Sequence, residues 1–225
     1  MMQLNLKWSF NNSKLEKLDT VSFNIPAFRS AGGFETCPKA GACATLCYAR
    51  QGRYIMPGVQ APREFNLAIA RNDIEAFTAY AVADLKQIKN KIVRVHDSGD
   101  FFSQAYMDAW FYVARQFPEK KFYAYSKSLH LDRSKCPKNF QIIQSVGGLM
   151  DDAINPKQSH SRIFSSVYQR KKAGYVDGNK NDKPAIDGAT KIGLVYHGTK
   201  NLLPGQTKWL DSNVVSDKVG GLNAV

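Results

Sequence analysis

Between residues 73 and 145 the chain switches repeatedly from a helical to a strand periodicity, and no other feature restricts its fold as much. From Asp73 to Ile88, Ile74, Phe77, Ala81, Leu85 and Ile88 recur every three or four residues, and Asn72 with Glu75 makes a capping-box-like start. Lys91 to His96 (KIVRVH) reads as a strand, Asp97-Ser98-Gly99-Asp100 as a turn, and Ser103 as the cap of a helix from Gln104 to Phe117. Lys121 to Ser126 and Phe140 to Ser145 are further strands, each preceded by a proline-containing turn. Earlier, Thr20 to Ile25 reads as a strand ended by Pro26, and short helices are predicted over Ala44 to Arg50 and Arg63 to Ala70. Strands that alternate with helices run parallel, because each helix carries the chain back to the same end of the sheet. The predicted class is therefore α/β.

Residues 151–191 interrupt this pattern. They are polar, basic and rich in Gly and Asn, with only Ile163 to Tyr168 strand-like, before Ile192 to His197 (IGLVYH) resumes a strand pattern. The organisation expected is one domain over 1–225, with 151–191 as a basic insertion or arm within it. A chain of 225 residues with 44% hydrophobic side chains can bury a sufficient core without disulfides. No run of apolar residues is long enough to cross a membrane, and the first ten residues lack the apolar segment of a signal peptide. A soluble, cytoplasmic protein with no membrane partner is expected; nothing in the pattern indicates an oligomeric state.

The sharpest chemical signal is Cys37-x5-Cys43-x3-Cys47-Tyr48, three of the chain's four cysteines within eleven residues. Cys43 and Cys47 are four apart, so on a helix both thiols share a face, and Gly41 lets the loop fold Cys37 toward them. Three thiolates could then converge on one metal centre. Structural zinc sites bring cysteines in close pairs, and the chain has no second pair to complete a tetrahedron. An iron–sulfur cube tolerates wider spacing, since each thiolate binds a different iron, and three cysteines would leave the fourth iron open to a small ligand. Zinc binding and burial without a metal stay open beside it. Cys136 is either a fourth ligand or a loop or core thiol, and His96 either a ligand or proton shuttle or a hydrogen-bonded core histidine.

The net charge of +12 is uneven: residues 1–115 carry 14 basic and 10 acidic side chains, residues 116–225 carry 17 and 9. Such a balance attracts polyanions, and the run from Tyr168 to Tyr175, which contains Arg170, Lys171 and Lys172, mixes bases with aromatics as a nucleic-acid contact would. A solvated charged face gives the same pattern. Neither a Ser/His/Asp order nor a phosphate loop is found, which removes hydrolase and nucleoside-triphosphatase readings.

The cysteine motif ending in Cys47-Tyr48-Ala49, followed by Arg94 to Phe101 (RVHDSGDF) and Phe122 to Ser128 (FYAYSKS), resembles a bacteriophage family named for gene product 88, over roughly residues 20–145. That family is in turn distantly similar to radical SAM enzymes. The resemblance implies a partial (β/α) barrel that holds a [4Fe–4S] cluster on cysteines in the loop after the first strand, here Cys37, Cys43 and Cys47. It also raises S-adenosylmethionine as a ligand, although radical SAM enzymes space their cysteines C-x3-C-x2-C, with an aromatic residue before the last cysteine rather than after it.

Ligands of parallel β/α folds sit beyond the carboxyl ends of the strands, the place of Asp97, Ser98, Gly99 and Asp100 after one strand and of Lys127 after the next. These five are the candidate ligand-binding residues, Gly99 as a point of close backbone approach, and no catalytic residue is assigned. The aspartates also suit ordinary turn and cap roles. Two functions are expected. One is an iron–sulfur enzyme, radical-SAM-like, with a small molecule at the cluster. The other is a non-catalytic module stapled by a cluster or zinc that binds nucleic acid or a host protein.

Overall fold

The computed structural model describes residues 3–10, 15, 17–196 and 210. Eight strands form one sheet in the order β1-β2-β3-β4-β5-β6-β8-β7. They are β1 (Trp8–Ser9), β2 (Thr20–Phe23), β3 (Ile92–Val95), β4 (Lys121–Ser126), β5 (Phe140–Ser145), β6 (His160–Phe164), β7 (Val176–Asp177) and β8 (Lys191–Val195). β1 runs antiparallel to β2 and every other pairing is parallel. The protein is thus α/β, as the alternation predicts. From β2 to β6 each strand lies beside its predecessor in sequence order, and the sheet stays open, with β1 and β7 at its ends.

The helices are α1 (Cys43–Leu46), α2 (Pro57–Asn72), α3 (Ile74–Gln87), α4 (Gln104–Arg115), α5 (Val167–Lys172) and α6 (Lys183–Ile186). The periodic face of α3 packs Phe77, Ala81 and Leu85 with Tyr106, Trp110 and Val113 of α4 over Val21, Phe23, Val93 and Val95 of the sheet. Phe23 sits at the centre, edge-on to Phe77 at 5.6 Å and to Trp110 at 5.1 Å. The start of α3 departs from expectation. Asp73, not Asn72, is the cap, accepting the Ala76 N–H at 2.8 Å, while Asn72 closes a much longer α2. Ser103 caps α4 through the Tyr106 N–H at 3.2 Å, as predicted.

Residues 151–191 are built into the sheet, contrary to the expected insertion. They supply β6, which lies between β5 and β8, together with α5, β7 and α6. Their polar residues are partly interior: His160, Ser161, Arg162 and Arg170 are all buried. The strand here also begins earlier than Ile163, and Tyr168 is helical, because Ser166 accepts the Gln169 N–H at 3.2 Å and opens α5. His197, read as the end of the last strand, lies outside the described residues.

Side chains alternate along a strand, so Arg94, Tyr123 and Tyr125 leave the helix-covered face. On the other face Asp182, just before α6, takes Arg94 Nη1 at 2.6 Å and Tyr123 OH at 2.7 Å, while Ala185 packs with Tyr123, Ile143 and Ile192. This face is closed at one end by α6 and at the other by the cysteine loop. Among the described residues no helix is long and apolar enough to cross a membrane.

Candidate functional site

The loop after β2 carries Cys37 and Cys43 and is fastened to the ends of two other strands. Asp100 N–H donates to Thr36 O at 3.2 Å, which ties the loop to the turn after β3. Cys43 N–H donates to Gly147 O at 3.0 Å and Leu149 N–H to Lys39 O at 3.0 Å, which ties it to the turn after β5. The second junction needs two glycines. Gly41 has φ +55°, and a Cβ there would lie 2.8 Å from the Gly148 carbonyl carbon; a Cβ on Gly148 would lie 2.7 Å from Lys39 O.

These junctions enclose a cavity of about 160 Å³ at the carboxyl ends of the parallel strands. Cys37, Cys43 and Cys47 line it, with Asp97, Ser98, Gly99, Asp100 and Lys127, so the three clustered cysteines and the five ligand-binding candidates border one space. Phe28, Ala40, Leu46, Ile163 and Leu194 supply apolar wall. Cys136 is elsewhere. It precedes β5, at the opposite end of the strands, packs against the main core and bonds to Phe140 O at 3.3 Å.

The three thiols differ in environment. Cys37 Sγ accepts the Phe28 N–H at 3.3 Å, but burial and the neighbouring Asp100 push its pKa up to about 12. Cys43 and Cys47 lie one helical turn apart across α1. The neighbouring Cys47 thiol, with the Lys127 ammonium, holds Cys43 below the ordinary thiol range; Cys47 is raised in return and by burial. Among the described residues no group of three or more His, Cys, Asp or Glu side chains is placed to hold a metal ion. Zinc needs its sulfurs about 2.3 Å from one point, so this geometry does not suit the zinc reading.

The ligand candidates divide. Ser98 Oγ donates to Ile25 O at 2.7 Å, and Asp100 accepts from Ser126 Oγ and from the N–H groups of Phe101 and Lys127, so both spend their polar atoms inside the protein. Gly99, expected to admit a ligand, admits Ile25 instead: with φ +89°, its Cβ would fall 2.2 Å from Ile25 Cγ1. Asp97 is less committed. Its carboxylate has Tyr54 OH at 3.4 Å and Arg63 Nη2 at 3.5 Å, both long contacts, while its backbone oxygen takes the Tyr48 hydroxyl. Lys127 Nζ reaches Ser145 Oγ at 2.6 Å.

His96 borders the cavity but turns its ring into the core, where Nε2 meets Tyr106 OH at 2.8 Å and the ring lies against Phe101. Burial, then the nearby Arg94, lowers its pKa to about 3, so it is a neutral core histidine. Sequence reasoning missed Arg94, Tyr125 and Ser145 on the cavity wall. A signal for Arg94 existed: a charged residue inside Ile92–Val95 must have a buried partner if both faces of a parallel sheet are covered.

A parallel α/β sheet with a cysteine loop closing a cavity at its strand ends is the class of protein that these features define. The sequence model of the family described as gene product 88 matches residues 4–208, and the chain belongs to that family of bacteriophage proteins. The gene 88 protein of Mycobacterium phage L5 is 33% identical over 214 residues, covering 80% of this chain and 85% of that protein. The gene 88 protein of Mycobacterium phage D29 is also 33% identical, over 108 residues that span 44% of this chain and 45% of the relative. No solved structure matches, so the expected likeness to the radical SAM core finds no support there.

Proposed function

We propose that this protein holds a [4Fe–4S] cluster on Cys37, Cys43 and Cys47, with one iron open to a small molecule in the adjoining cavity. The observation that carries the reading is that three cysteines border one partly apolar cavity at the strand ends. The donor set fits the group. Thiolates are its usual ligands, a cube accepts sulfurs that do not share one centre, and a strand order running in sequence from β2 to β6 is compatible with a radical-SAM-like partial barrel.

When bound, such a cluster supplies an electron carrier and a Lewis-acidic iron. This chain's residues would do the rest. The Phe28 N–H bonds Cys37 Sγ and tempers its charge, as outer-shell donors to cluster sulfurs do. The walls of Leu46, Ile163 and Leu194 limit water, and the loosely held Asp97 carboxylate offers an acceptor to a hydroxyl or amine on the ligand.

Iron and acid-labile sulfide analysis under anaerobic conditions, with a visible spectrum, tests the reading on wild type and Cys43→Ala. Iron with matching sulfide in the wild type, lost in the variant, is the expected result, and S-adenosylmethionine is then tested as a ligand by the change it makes to the cluster spectrum. Wild-type protein that takes up neither iron nor sulfide after reconstitution overturns the proposal.

A further inference from the structure

The outer faces of α3 and α4 leave a groove of about 660 Å³ between them, lined among the described residues by these two helices alone. A helix that covers a sheet ordinarily turns charged side chains outward. The outward stripe of α3 is instead apolar along its middle and charged only at its ends. Glu75, Thr78, Ala79, Val82, Ala83 and Lys86 border the groove, with Glu75, Ala79, Ala83 and Lys86 exposed. Thr78 spends its hydroxyl on Ile74 O at 2.6 Å, so it presents its methyl group. From α4, Tyr112 stands beside the groove with 48% of its surface exposed. Glu75 and Lys86 share a face because the eleven residues between their positions make very nearly three turns, which sets them about 16 Å apart. Neither takes part in an ion pair among the described residues. The groove's other carboxylate, Asp108, is engaged by Gln104 Nε2 at 3.0 Å.

We propose that this groove is a dimer interface, filled by α3 of a second copy of the chain across a two-fold axis. In a two-fold contact one patch must complement itself. The α3 stripe does so when it packs antiparallel on its own copy. An axis through the middle of the stripe sets Glu75 against Lys86 of the partner subunit, and likewise position 78 against 83 and 79 against 82, because the members of each pair are equally far from that middle. The pairing is reciprocal, so the dimer gains two Glu–Lys bridges at the rim of an apolar centre, the usual anatomy of an interface. Closing the groove takes Val82 and Tyr112 out of water, which supplies the driving force. A uniformly acidic or uniformly basic partner would be repelled at one end. The groove shares no residue with the cysteine cavity, so this inference is independent of the cluster reading.

Sedimentation equilibrium of the full-length protein over a range of concentrations tests this. The wild type is expected to reach twice the chain mass. Glu75→Lys or Lys86→Glu alone sets like charges against each other at both rims, and each is expected to raise the dimer dissociation constant about tenfold, since two exposed pairs are lost at once. Glu75→Lys combined with Lys86→Glu rebuilds both pairs in reverse and is expected to return the constant to the wild-type value. Both positions are exposed, so circular dichroism melts of all three variants are expected to match the wild type. A wild type that stays monomeric overturns the inference without any variant and leaves the groove to a different partner. So does a dimer that neither single reversal weakens, and so does a double variant that associates no more tightly than the single ones.

Discussion

Ser126 Oγ donates a 2.7 Å hydrogen bond to Asp100 Oδ1, which joins the turn after β3 to the end of β4. The same carboxylate accepts the N–H of Phe101 at 2.7 Å and of Lys127 at 2.8 Å. Asp100 is thus a clamp between two strand ends. Asp100→Ala would strand three buried donors, each worth about 1–3 kcal/mol, so a loss of about 3 kcal/mol or more is expected. Urea midpoints compare the two proteins, and equal stability would show that the donors find other partners.

Gly99→Ala is expected to be at least as damaging. The new Cβ would meet Ile25 Cγ1 at 2.2 Å, in a backbone conformation of φ +89° that L side chains rarely adopt. Overpacking and backbone strain together should cost about 3 kcal/mol. A thermal melt reads this directly; a melting temperature near that of wild type would mean that Ile25 has room to withdraw.

Acid stability should carry two opposed contributions. His96 has a pKa lowered from 6.5 to about 3 by burial, so the unfolded chain binds a proton that the folded one refuses. Its stabilising share is complete above about pH 6.5 and drains as the pH falls, by at most about 1.4 kcal/mol per unit. Asp100 is raised from 3.8 to about 6, also by burial, so between those values the folded state holds the extra proton and stability grows as pH falls. His96→Gln should therefore lose less stability, or gain some, between pH 7 and pH 4.5 relative to wild type. Denaturant midpoints at the two pH values check it, and parallel curves for both proteins would contradict the assignment.

The basic run near residue 170 divides in the fold. Arg170 is buried and donates to Tyr175 O at 3.0 Å, with Asp177 at 3.4 Å, whereas Tyr168, Lys171 and Lys172 share one exposed face of α5. Arg170→Glu should destabilise the protein by about 2–4 kcal/mol, because it leaves an unpaired charge inside. Lys171→Glu with Lys172→Glu should leave the melting temperature within a degree or two of wild type. The same double variant should weaken and flatten the salt dependence of any single-stranded nucleic-acid binding, measured by fluorescence anisotropy at low salt. Wild-type protein that shows no binding there would remove the nucleic-acid alternative.

Local pattern alone was enough for the α/β class, for β4 and β5 to the residue, for the Ser103 cap and for most of α3, because periodicity and capping act within a few neighbouring residues. It also brought Cys37, Cys43 and Cys47 and the strand-end residues beside one cavity, since a parallel sheet delivers each strand end to the same edge. Tertiary contact decided the rest. Whether Asp100 meets a ligand or Ser126, whether Gly99 yields to a ligand or to Ile25, and whether Lys127 reaches Ser145 depend on partners many residues away. Residues 151–191 show the same limit. Their polarity reads as an arm, yet Asp182 is bonded to Arg94, 88 residues earlier, and His160 to Tyr175 at 3.0 Å, so buried partners satisfy what composition assigns to water. Polar groups go inside when the fold brings them a partner, and only the assembled sheet determines which ones do.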